Sequence, residues 1–594
     1  MALCGVKRLC NRVPRTRTVC PHVQWEVLQL WPLKLPDMTH VLQETTRKGV
    51  GSQRWQRPVY VDLLPPCNHA CPAGENIQAW LAEAQAGQYE KAWQTLVDDN
   101  PLPSTHGRAC YHPCETSCNR GSLDAPVAIH AVERFLGDLA ADKGWRVPVA
   151  RPSGKKVLVV GAGPGGLACA YHLARMGHRA EIRDSAEEPG GMMVSGIPAY
   201  RLPRAPLRTE INRITAMAGI ALQCGQRVDD VVAEKQKGGF DAVFVAVGAQ
   251  EANHLNIPAM DGKKIIDAVT LLGQVQEGRA PKLGRAVAVI GGGNTAVDAA
   301  RTARRLGAQD ALLVYRSDVA HMRAQPAEAS EAFAEGVKIK WLSTVGQFGA
   351  DGIVIEKLEM GPDGSVTPTG ETERIGADSV VLAVGQHSDL SLLCGAPGVK
   401  ITPDDVVEVN EVLMTGHPGI FAGGDCIGGA RTMTVAVGHG KLAARAIDAW
   451  MRGETYRHPI SHPLVTFDML HLLSYLDAPR SQQEEVPVAQ RTGFGEIVAG
   501  LEEPQARYEA QRCLSCGNCF ECDNCYAACP EQAITRLGRG NGYSVDTNLC
   551  TGCATCFEQC PCHAIEMVPE PQGQSLPIGN LDEPLAPSSF AVRK

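Results

Sequence analysis

The chain has 594 residues and a formal net charge of −8, from 65 acidic and 57 basic side chains. Its length indicates several domains with large cores, and the lack of a basic excess excludes a nucleic-acid partner held by general electrostatics. The sequence has no run of about 18 apolar residues, so no membrane-spanning helix is expected.

Residues 1–37 are rich in Arg and punctuated by Pro. We expect a disordered extension or a start codon placed too far upstream, with a transit-like or accessory arm as the alternative. The segment lacks the apolar stretch of a signal peptide, and no function is assigned to it.

The 23 cysteines are mostly grouped, with five between residues 67 and 118 and eleven between residues 513 and 562. Such grouping, at spacings of two or three residues, favours metal ligation over a disulfide framework, which belongs to small secreted domains. We therefore expect a reducing compartment and a cytoplasmic location.

Residues 155–184, KKVLVVGAGPGGLACAYHLARMGHRAEIRD, have the pattern of a strand, a glycine-rich turn, a helix and a second strand. The glycines allow a tight turn, a close approach to a pyrophosphate and close helix packing. An acid at the end of the second strand can accept hydrogen bonds from ribose hydroxyls. The alternative is a glycine-rich turn without a ligand. The candidate residues are Gly161, Gly163, Gly165, Gly166 and Asp184.

A second fingerprint occupies residues 284–316, GRAVAVIGGGNTAVDAARTARRLGAQDALLVYR. Ala in place of the third glycine is within the pattern, but Arg316 stands where an acid is expected. An Arg there can face a 2′-phosphate, which favours NADPH over NADH, although a structural Arg is nearly as plausible. The candidate residues are Gly291, Gly293, Asn294, Thr295, Ala296 and Arg316.

The segment GIFAGGDCIGG at 419–429 supplies a strand that ends in Gly424 and Asp425. The segments FDAVFVAVGAQ and DSVVLAVGQ resemble the connectors of flavoproteins that bind two dinucleotides. In those proteins an Asp at this position binds the ribityl and pyrophosphate region of FAD. The resemblance implies FAD on the first fold and NAD(P)H on the inserted second fold.

A disulfide reductase needs a redox-active cysteine pair near its flavin. The cysteines between Gly161 and Asp425 are unpaired in sequence, so this activity is not expected. Hydride transfer requires no general acid or base, and no catalytic residue is assigned.

The distal cysteines form two runs, each closed by Cys-Pro, with the spacing of a two-cluster bacterial ferredoxin. In that arrangement the fourth cysteine of each run binds the other [4Fe-4S] cluster. A structural zinc site is the alternative. Cys513, Cys516 and Cys562 are surplus to this pattern. One predicted ligand set is Cys519, Cys522, Cys525 and Cys560; the other is Cys550, Cys553, Cys556 and Cys529.

From about residue 60 to 530 the chain resembles the small subunit of bacterial glutamate synthase and its relatives, which include the N-terminal half of dihydropyrimidine dehydrogenase. The motifs that carry the resemblance are EEPGGMMVSGIPAYRLPR, GGGNTAVDAARTARRLGA and EAQRCLSC. The first contains the flavin-side loop of the family. The matching residues of that loop are Gly190, Gly191, Gly196, Ile197 and Pro198.

The same resemblance implies iron–sulfur ligation near the N-terminus. Relatives hold two clusters there, but they use a Cys-x-x-Cys pair upstream of Cys67 that this chain lacks. One cluster is therefore expected, and His106 is a weaker candidate ligand whose alternative is a solvated loop histidine. The predicted ligands are Cys71, Cys110 and Cys114, with Cys118 or Cys67 as the fourth.

These parts together predict an NAD(P)H:acceptor oxidoreductase that passes electrons between NAD(P)H, FAD and [4Fe-4S] clusters. The expected partner is a redox subunit or a ferredoxin in a hetero-oligomeric complex, such as a 2-oxoacid oxidoreductase, a sulfite-reductase-like enzyme or a glutamate-synthase-type subunit. A non-enzymatic scaffold and an electron-bifurcating subunit are the alternatives.

The predicted fold class is α/β, with two Rossmann-like domains between an α-helical iron–sulfur domain and a ferredoxin-like α+β domain. The predicted boundaries are 38–150 for the helical domain, 151–252 and 376–455 for the FAD domain, 253–375 for the NAD(P)H domain, 456–512 for a linker, 513–570 for the ferredoxin module and 571–594 for a tail.

Overall fold

The structure, a computed structural model, describes residues 54–570 apart from 254, 256, 259–263 and 474. The predicted extension at 1–37 and the predicted tail at 571–594 lie outside the described residues. Among the helices that are described, none is both long and apolar enough to cross a bilayer.

The N-terminal region consists of short helices, three of which begin with Pro in the first turn. Proline is favoured there because the first helical N–H groups have no acceptor within the helix. The fully buried Trp80 and Trp93 form much of the core of this region. The elements are β1 (Gln56–Tyr60), α1 (Pro66–Ala70), α2 (Ile77–Gln85), α3 (Tyr89–Val97), α4 (Pro103–Ala109), α5 (Pro113–Thr116) and α6 (Ile129–Lys143).

The first nucleotide-binding region follows, and its central strands are apolar throughout because both faces of a parallel sheet are covered. The elements are β2 (Lys156–Val160), α7 (Pro164–Arg175), β3 (Arg179–Arg183), α8 (Met192–Ser195), α9 (Arg204–Thr215), β4 (Ile220–Gln223), α10 (Val231–Gly238), β5 (Ala242–Val245) and β6 (Glu251–Ala252).

The inserted region repeats this alternation and adds three long antiparallel strands. The elements are β7 (Lys264–Asp267), α11 (Ala268–Gln276), β8 (Ala286–Ile290), α12 (Asn294–Arg305), β9 (Asp310–Val314), α13 (Pro326–Ala334), β10 (Lys338–Lys340), β11 (Ser343–Gly349), β12 (Gly352–Met360), β13 (Val366–Ile375), β14 (Ser379–Leu382) and β15 (Gln386–His387).

The rest of the chain returns to the first sheet and then forms the cysteine-rich module. The elements are β16 (Ile420–Ala422), α14 (Met433–Met451), α15 (Glu503–Gln511), α16 (Asn524–Ala528), β17 (Ile534–Arg536), β18 (Tyr543–Val545), α17 (Thr555–Glu558) and β19 (Ile565–Pro569). Helix α15 lies in the segment predicted as a linker.

Two five-stranded parallel sheets organise the middle of the protein, with strand orders β16-β5-β2-β3-β4 and β10-β9-β8-β14-β7. The short pair β6–β15 joins the two connections between them. The predicted α/β class with two Rossmann-like domains is confirmed.

Two predicted boundaries differ from the structure. Strand β14 lies between β8 and β7, so the second domain extends beyond residue 375. A wholly apolar strand fits the centre of either parallel sheet, and its sequence does not say which. Strand β1, within the region predicted as helical, pairs with β19 of the C-terminal module, Gln56 opposite Pro569.

Candidate functional site

The first glycine-rich turn connects β2 to α7. Gly161 has φ +107°, and a Cβ there would lie 2.3 Å from the carbonyl oxygen of Ala246. Only glycine fits this combination of a positive φ and close backbone contact. The turn therefore keeps its backbone N–H groups and the start of α7 free of side chains, as an anionic ligand requires.

Asp184 follows β3 and lies beside this turn. Its Oδ2 accepts a hydrogen bond from the Ala162 N–H at 2.6 Å, and its Oδ1 accepts one from the Ala186 N–H at 2.8 Å. These bonds fix the carboxylate at the wall of the cavity described below. Each oxygen has a second lone pair, so the group can still accept from ribose hydroxyls.

The second glycine-rich turn connects β8 to α12. The Asn294 side chain is used within the protein, since its Nδ2 donates to the Tyr111 hydroxyl at 2.7 Å and its Oδ1 accepts from the Gln325 N–H at 2.8 Å. Asn294 thus ties this turn to the residue that follows Cys110. Its predicted role in binding a cofactor is at most shared with this structural role.

Arg316 is exposed two residues after β9, and Arg323 is exposed in the loop that follows. Both line the cavity. The Ala324 N–H donates to the carbonyl oxygen of Gly292 at 2.9 Å, which holds this loop against the glycine-rich turn. Arg323 was not predicted from the sequence because it lies seven positions beyond Arg316 and has no motif around it.

One cavity of about 2280 Å³ contacts both turns. Of the predicted cofactor residues, three do not line it. Gly166 and Ala296 pack helix against strand, as the fingerprint requires, and Gly190 precedes the lining loop. The predicted residues that line it are Gly161, Gly163, Gly165, Asp184, Gly191, Ile197, Gly291, Gly293, Asn294, Thr295, Arg316, Gly424 and Asp425.

Gly424 and Asp425 follow β16 and precede α14. The Gly424 N–H donates to His439 Nδ1 at 3.1 Å. Burial raises the pKa of Asp425, and the positive charge of Arg431 acts in the opposite direction. A carboxylate that has lost much of its water favours hydroxyl donors, which a ribityl chain offers.

Helix α14 brings the cavity against the proximal cysteines. A Cβ at Gly438 would lie 2.1 Å from the carbonyl oxygen of Pro72, so the helix approaches the Cys71–Pro72 backbone closely. One turn earlier, the Thr434 hydroxyl donates to Cys110 Sγ at 3.1 Å. Cys110 also lines the cavity. A thiol of the proximal group is therefore part of the same site as the two turns.

Cys71, Cys110 and Cys114 form one group. Burial, and then the charges of Glu115, Cys71 and Cys110, raise the pKa of the Cys114 thiol well above its usual value. Burial and the charges of Glu75 and Cys110 likewise raise the pKa of Glu133. Buried thiols and acids in mutual contact are neutral unless a cation is bound among them.

The two cysteines predicted as alternatives for the fourth ligand lie in a different cavity, and the identity of this ligand stays a prediction. Cys67 and Cys118 line a separate cavity together with Cys513 and Cys516. Helix α5 ends at Thr116, so Cys118 no longer shares the face of Cys114. Several buried acids lie near Cys110: the charges of Glu75 and Glu115 act on its thiol, and its own charge acts on Glu133.

His106 is not a solvated loop residue, as the alternative reading held. It lies in α4 with 1% exposure, and its Nδ1 is 3.0 Å from the carbonyl oxygen of Leu102. Burial lowers the pKa of its imidazole to about 4. Its Nε2 is buried and has no hydrogen-bond partner among the described residues, so its role as a weaker candidate ligand stays a prediction.

The distal cysteines gather in two sets. Burial, and then the thiols of Cys525, Cys560 and Cys522, raise the pKa of Cys519 to about 11. A cavity of about 20 Å³ is lined by the other four. These four are Cys529, Cys550, Cys553 and Cys556.

Backbone N–H groups point at several of these sulfurs. The Ala533 N–H donates to Cys529 Sγ at 3.3 Å, and the Gly552 N–H donates to Cys550 Sγ at 3.4 Å. Such bonds stabilise thiolates and tune the potential of iron–sulfur clusters. The residues present therefore fit the two clusters that the spacing predicts.

The spacing of the sulfurs disfavours zinc. Four sulfurs at 2.3 Å from one zinc ion lie about 3.8 Å apart. Within the described part of the chain, the ligand atoms of three or more His, Cys, Asp or Glu gather within 4.8 Å only at His112, Glu115 and His130. The cysteine quartets are wider, as expected when each thiolate binds a different iron of a cubane.

The comparisons with protein families match three segments of the chain. Residues 155–440 match the family of pyridine nucleotide-disulphide oxidoreductases. Residues 56–145 match the 4Fe-4S domain II of dihydropyrimidine dehydrogenase, and residues 518–564 match the 4Fe-4S dicluster domain. These segments cover the two turns, the proximal cysteines and the distal cysteines from Cys519 onward.

Three curated proteins are similar over most of their length. The chain is 35% identical to the NADP(+)-dependent formate dehydrogenase subunit beta of Moorella thermoacetica over 76% of this chain and 71% of that one. It is 33% identical to the NADPH-Fe(3+) oxidoreductase subunit beta of Geobacter sulfurreducens over 76% and 75%. It is 30% identical to the glutamate synthase [NADPH] small chain of Escherichia coli over 65% and 89%.

Proposed function

The chain belongs to the glutamate synthase small-chain-like family of pyridine-nucleotide oxidoreductases with iron–sulfur domains, and we propose that it passes electrons from NADPH to a partner redox enzyme. FAD, NAD(P)H and [4Fe-4S] clusters are the cofactors of this architecture. The proposal concerns the choice of nucleotide, the path of the electrons and the partner.

The observation that carries the proposal is the continuity of the cavity. Both glycine-rich turns and the Cys110 thiol line it. A hydride donor, an acceptor and a one-electron carrier can thus be held side by side within one continuous cavity. Their proximity matters because electron transfer needs positioning and the exclusion of water more than it needs proton chemistry.

FAD, when bound, supplies the change from two-electron to one-electron transfer. The residues of the chain bind and orient the cofactors and stabilise charge near them. Asp184 and Asp425 provide acceptors for hydroxyl groups at two points of the cavity wall, and Arg204 lines the same wall. The Thr434 hydroxyl stabilises negative charge on Cys110, so it would favour the reduced form of a cluster bound by that thiolate.

The preference for NADPH rests on two cations. Arg316 and Arg323 line the nucleotide end of the cavity, and neither forms a hydrogen bond or ion pair with another of the described residues. Free guanidinium groups bind phosphate oxygens in a bidentate manner. A 2′-phosphate offers these oxygens, whereas the 2′-hydroxyl of NADH does not.

The exit lies in the C-terminal module. Cys519 and Cys553, one from each predicted ligand set, are exposed. Clusters held there lie close to the protein surface, where a partner can accept single electrons. Two of the similar proteins are named as beta subunits, which supports a partner subunit as the acceptor.

Anaerobic reduction of the purified holoprotein tests this function. We expect NADPH to bleach the flavin absorbance faster than equimolar NADH, and a viologen dye to be reduced in turnover. A Cys553→Ser variant should retain flavin bleaching and lose most of the transfer to a ferredoxin-sized acceptor, because only the exit is altered.

A Cys394→Ser variant is the matched control, since Cys394 is exposed and lies outside both cysteine-rich regions. Flavin that stays oxidised with both nucleotides would contradict the proposal and leave a scaffold role. Equal rates with NADPH and NADH would contradict the assignment of Arg316 and Arg323.

A further inference from the structure

Four cysteines from opposite ends of the chain line one cavity. Its volume is about 20 Å³, the same as that of the cavity lined by Cys529 and its three companions. Two of the four come from the helical region and two from the first residues of the predicted ferredoxin module. The four are Cys67, Cys118, Cys513 and Cys516.

The sulfurs of this cavity are surrounded by N–H donors. The Asn119 Nδ2 donates to Cys516 Sγ at 3.5 Å, and the Ser515 N–H donates to Cys513 Sγ at 3.4 Å. This pattern is the one found around the ligand sulfurs of the two predicted ferredoxin clusters, and it stabilises thiolates.

The two segments are held together by well-defined contacts. The Leu63 N–H donates to the carbonyl oxygen of Gly517 at 3.0 Å, and Asn518 Nδ2 donates to the carbonyl oxygen of Leu63 at 3.0 Å. Arg120 Nη1 donates to the carbonyl oxygen of Arg512 at 2.8 Å. The four thiols are thus brought together by the fold and not by a flexible loop.

We propose that Cys67, Cys118, Cys513 and Cys516 bind one [4Fe-4S] cluster that bridges the helical domain and the C-terminal module. The family's upstream Cys-x-x-Cys pair is absent from this chain, and Cys513 and Cys516 have the same spacing. The sulfurs are too far apart for a single zinc ion.

The bridging position makes this cluster a relay. It lies between the group containing Cys110, which lines the flavin cavity, and the module that carries the exit. One electron enters from the flavin domain and one leaves to the C-terminal clusters, with no bond or proton exchanged. The relay role rests on the proposed function, whereas the ligand set does not.

Iron and acid-labile sulfide analysis of the anaerobically purified full chain tests the ligand set. The double variant Cys513→Ser/Cys516→Ser should lose about four iron and four sulfide per chain relative to the wild type. One signal in the electron paramagnetic resonance spectrum of the dithionite-reduced protein should disappear, and FAD content should be unchanged. A Cys224→Ser/Cys394→Ser variant, of two cysteines outside these cavities, should lose neither.

The variant Cys67→Ser/Cys118→Ser, which alters the two proposed ligands in the helical domain, should remove the same signal. If either variant fails to fold, the iron content of the wild-type protein tests the proposal instead. The bridging cluster and the three other expected clusters together contain about sixteen iron atoms per FAD. About twelve iron per FAD, or zinc in place of the missing iron, would overturn the proposal. These readouts use dithionite, so they do not depend on whether NADPH reduces the protein.

Discussion

The Thr434 hydroxyl offers a direct test of the contact between the flavin cavity and the proximal cysteines. Its oxygen lies 3.1 Å from Cys110 Sγ, a short distance for a sulfur acceptor. The substitution Thr434→Val removes the hydroxyl and keeps the shape of the side chain. Thr434→Ser keeps the hydroxyl and serves as the control.

The magnitude follows from the energy of the bond. Hydrogen bonds to charged groups contribute about 1.5–3 kcal/mol, and the bond strengthens when the cluster gains an electron. If the hydrogen bond is about 1 kcal/mol stronger in the reduced than in the oxidised cluster, its loss in the Val variant lowers the reduction potential of the cluster bound by Cys110 by about 40 mV.

A redox titration of the holoprotein, followed by electron paramagnetic resonance, measures this shift. The signals of the C-terminal clusters provide internal references, because Thr434 does not contact their ligands. The reasoning is refuted if the Val variant shows no shift in any cluster, or if the Ser variant shifts as far as the Val variant.

Two further variants probe other contacts. Arg316→Ala/Arg323→Ala should raise KM for NADPH by about a hundredfold or more, because the two lost charged hydrogen bonds together cost about 3–6 kcal/mol, and should leave KM for NADH nearly unchanged; a parallel rise for both nucleotides would argue against a 2′-phosphate site. Gly438→Ala should destabilise the protein by about 1–3 kcal/mol, because the added methyl group overpacks against Pro72. The measurement is a lower Tm, whereas helix propensity alone predicts that this substitution stabilises the protein. Gly376→Ala, at a position where a Cβ meets no neighbouring atom, is the control.

Local patterns were sufficient to predict the two nucleotide folds. A strand, a glycine-rich turn and a helix contiguous in sequence carry their own signal, and both turns occur where the fingerprints predict them. The pairing of β1 with β19 has no such signal, because its partners lie near opposite ends of the described chain. The sequence of β14 also did not indicate which of the two parallel sheets contains it, because a uniformly apolar strand fits the centre of either.

In the candidate site, too, residues close together in sequence could be predicted, whereas groups assembled from distant segments could not. The predicted ferredoxin ligand sets follow from spacing within one short module, and the structure gathers the same residues, although their roles stay a prediction. Cys513 and Cys516 were set aside as surplus, since nothing in their neighbourhood indicates Cys67 and Cys118 as companions. Arg323 was missed for a similar reason, as only the folding of its loop brings it to the cavity.

The pairing of β1 with β19 has a consequence for biosynthesis. While the ribosome is still translating the middle of the protein, Gln56–Tyr60 has no strand to pair with, and two of the four bridging thiols do not yet exist. Contacts of such long sequence separation form late in folding. Cluster delivery to the bridging thiols must then wait until the nascent chain is nearly complete, so a truncated product would lack the link between its flavin half and any electron exit.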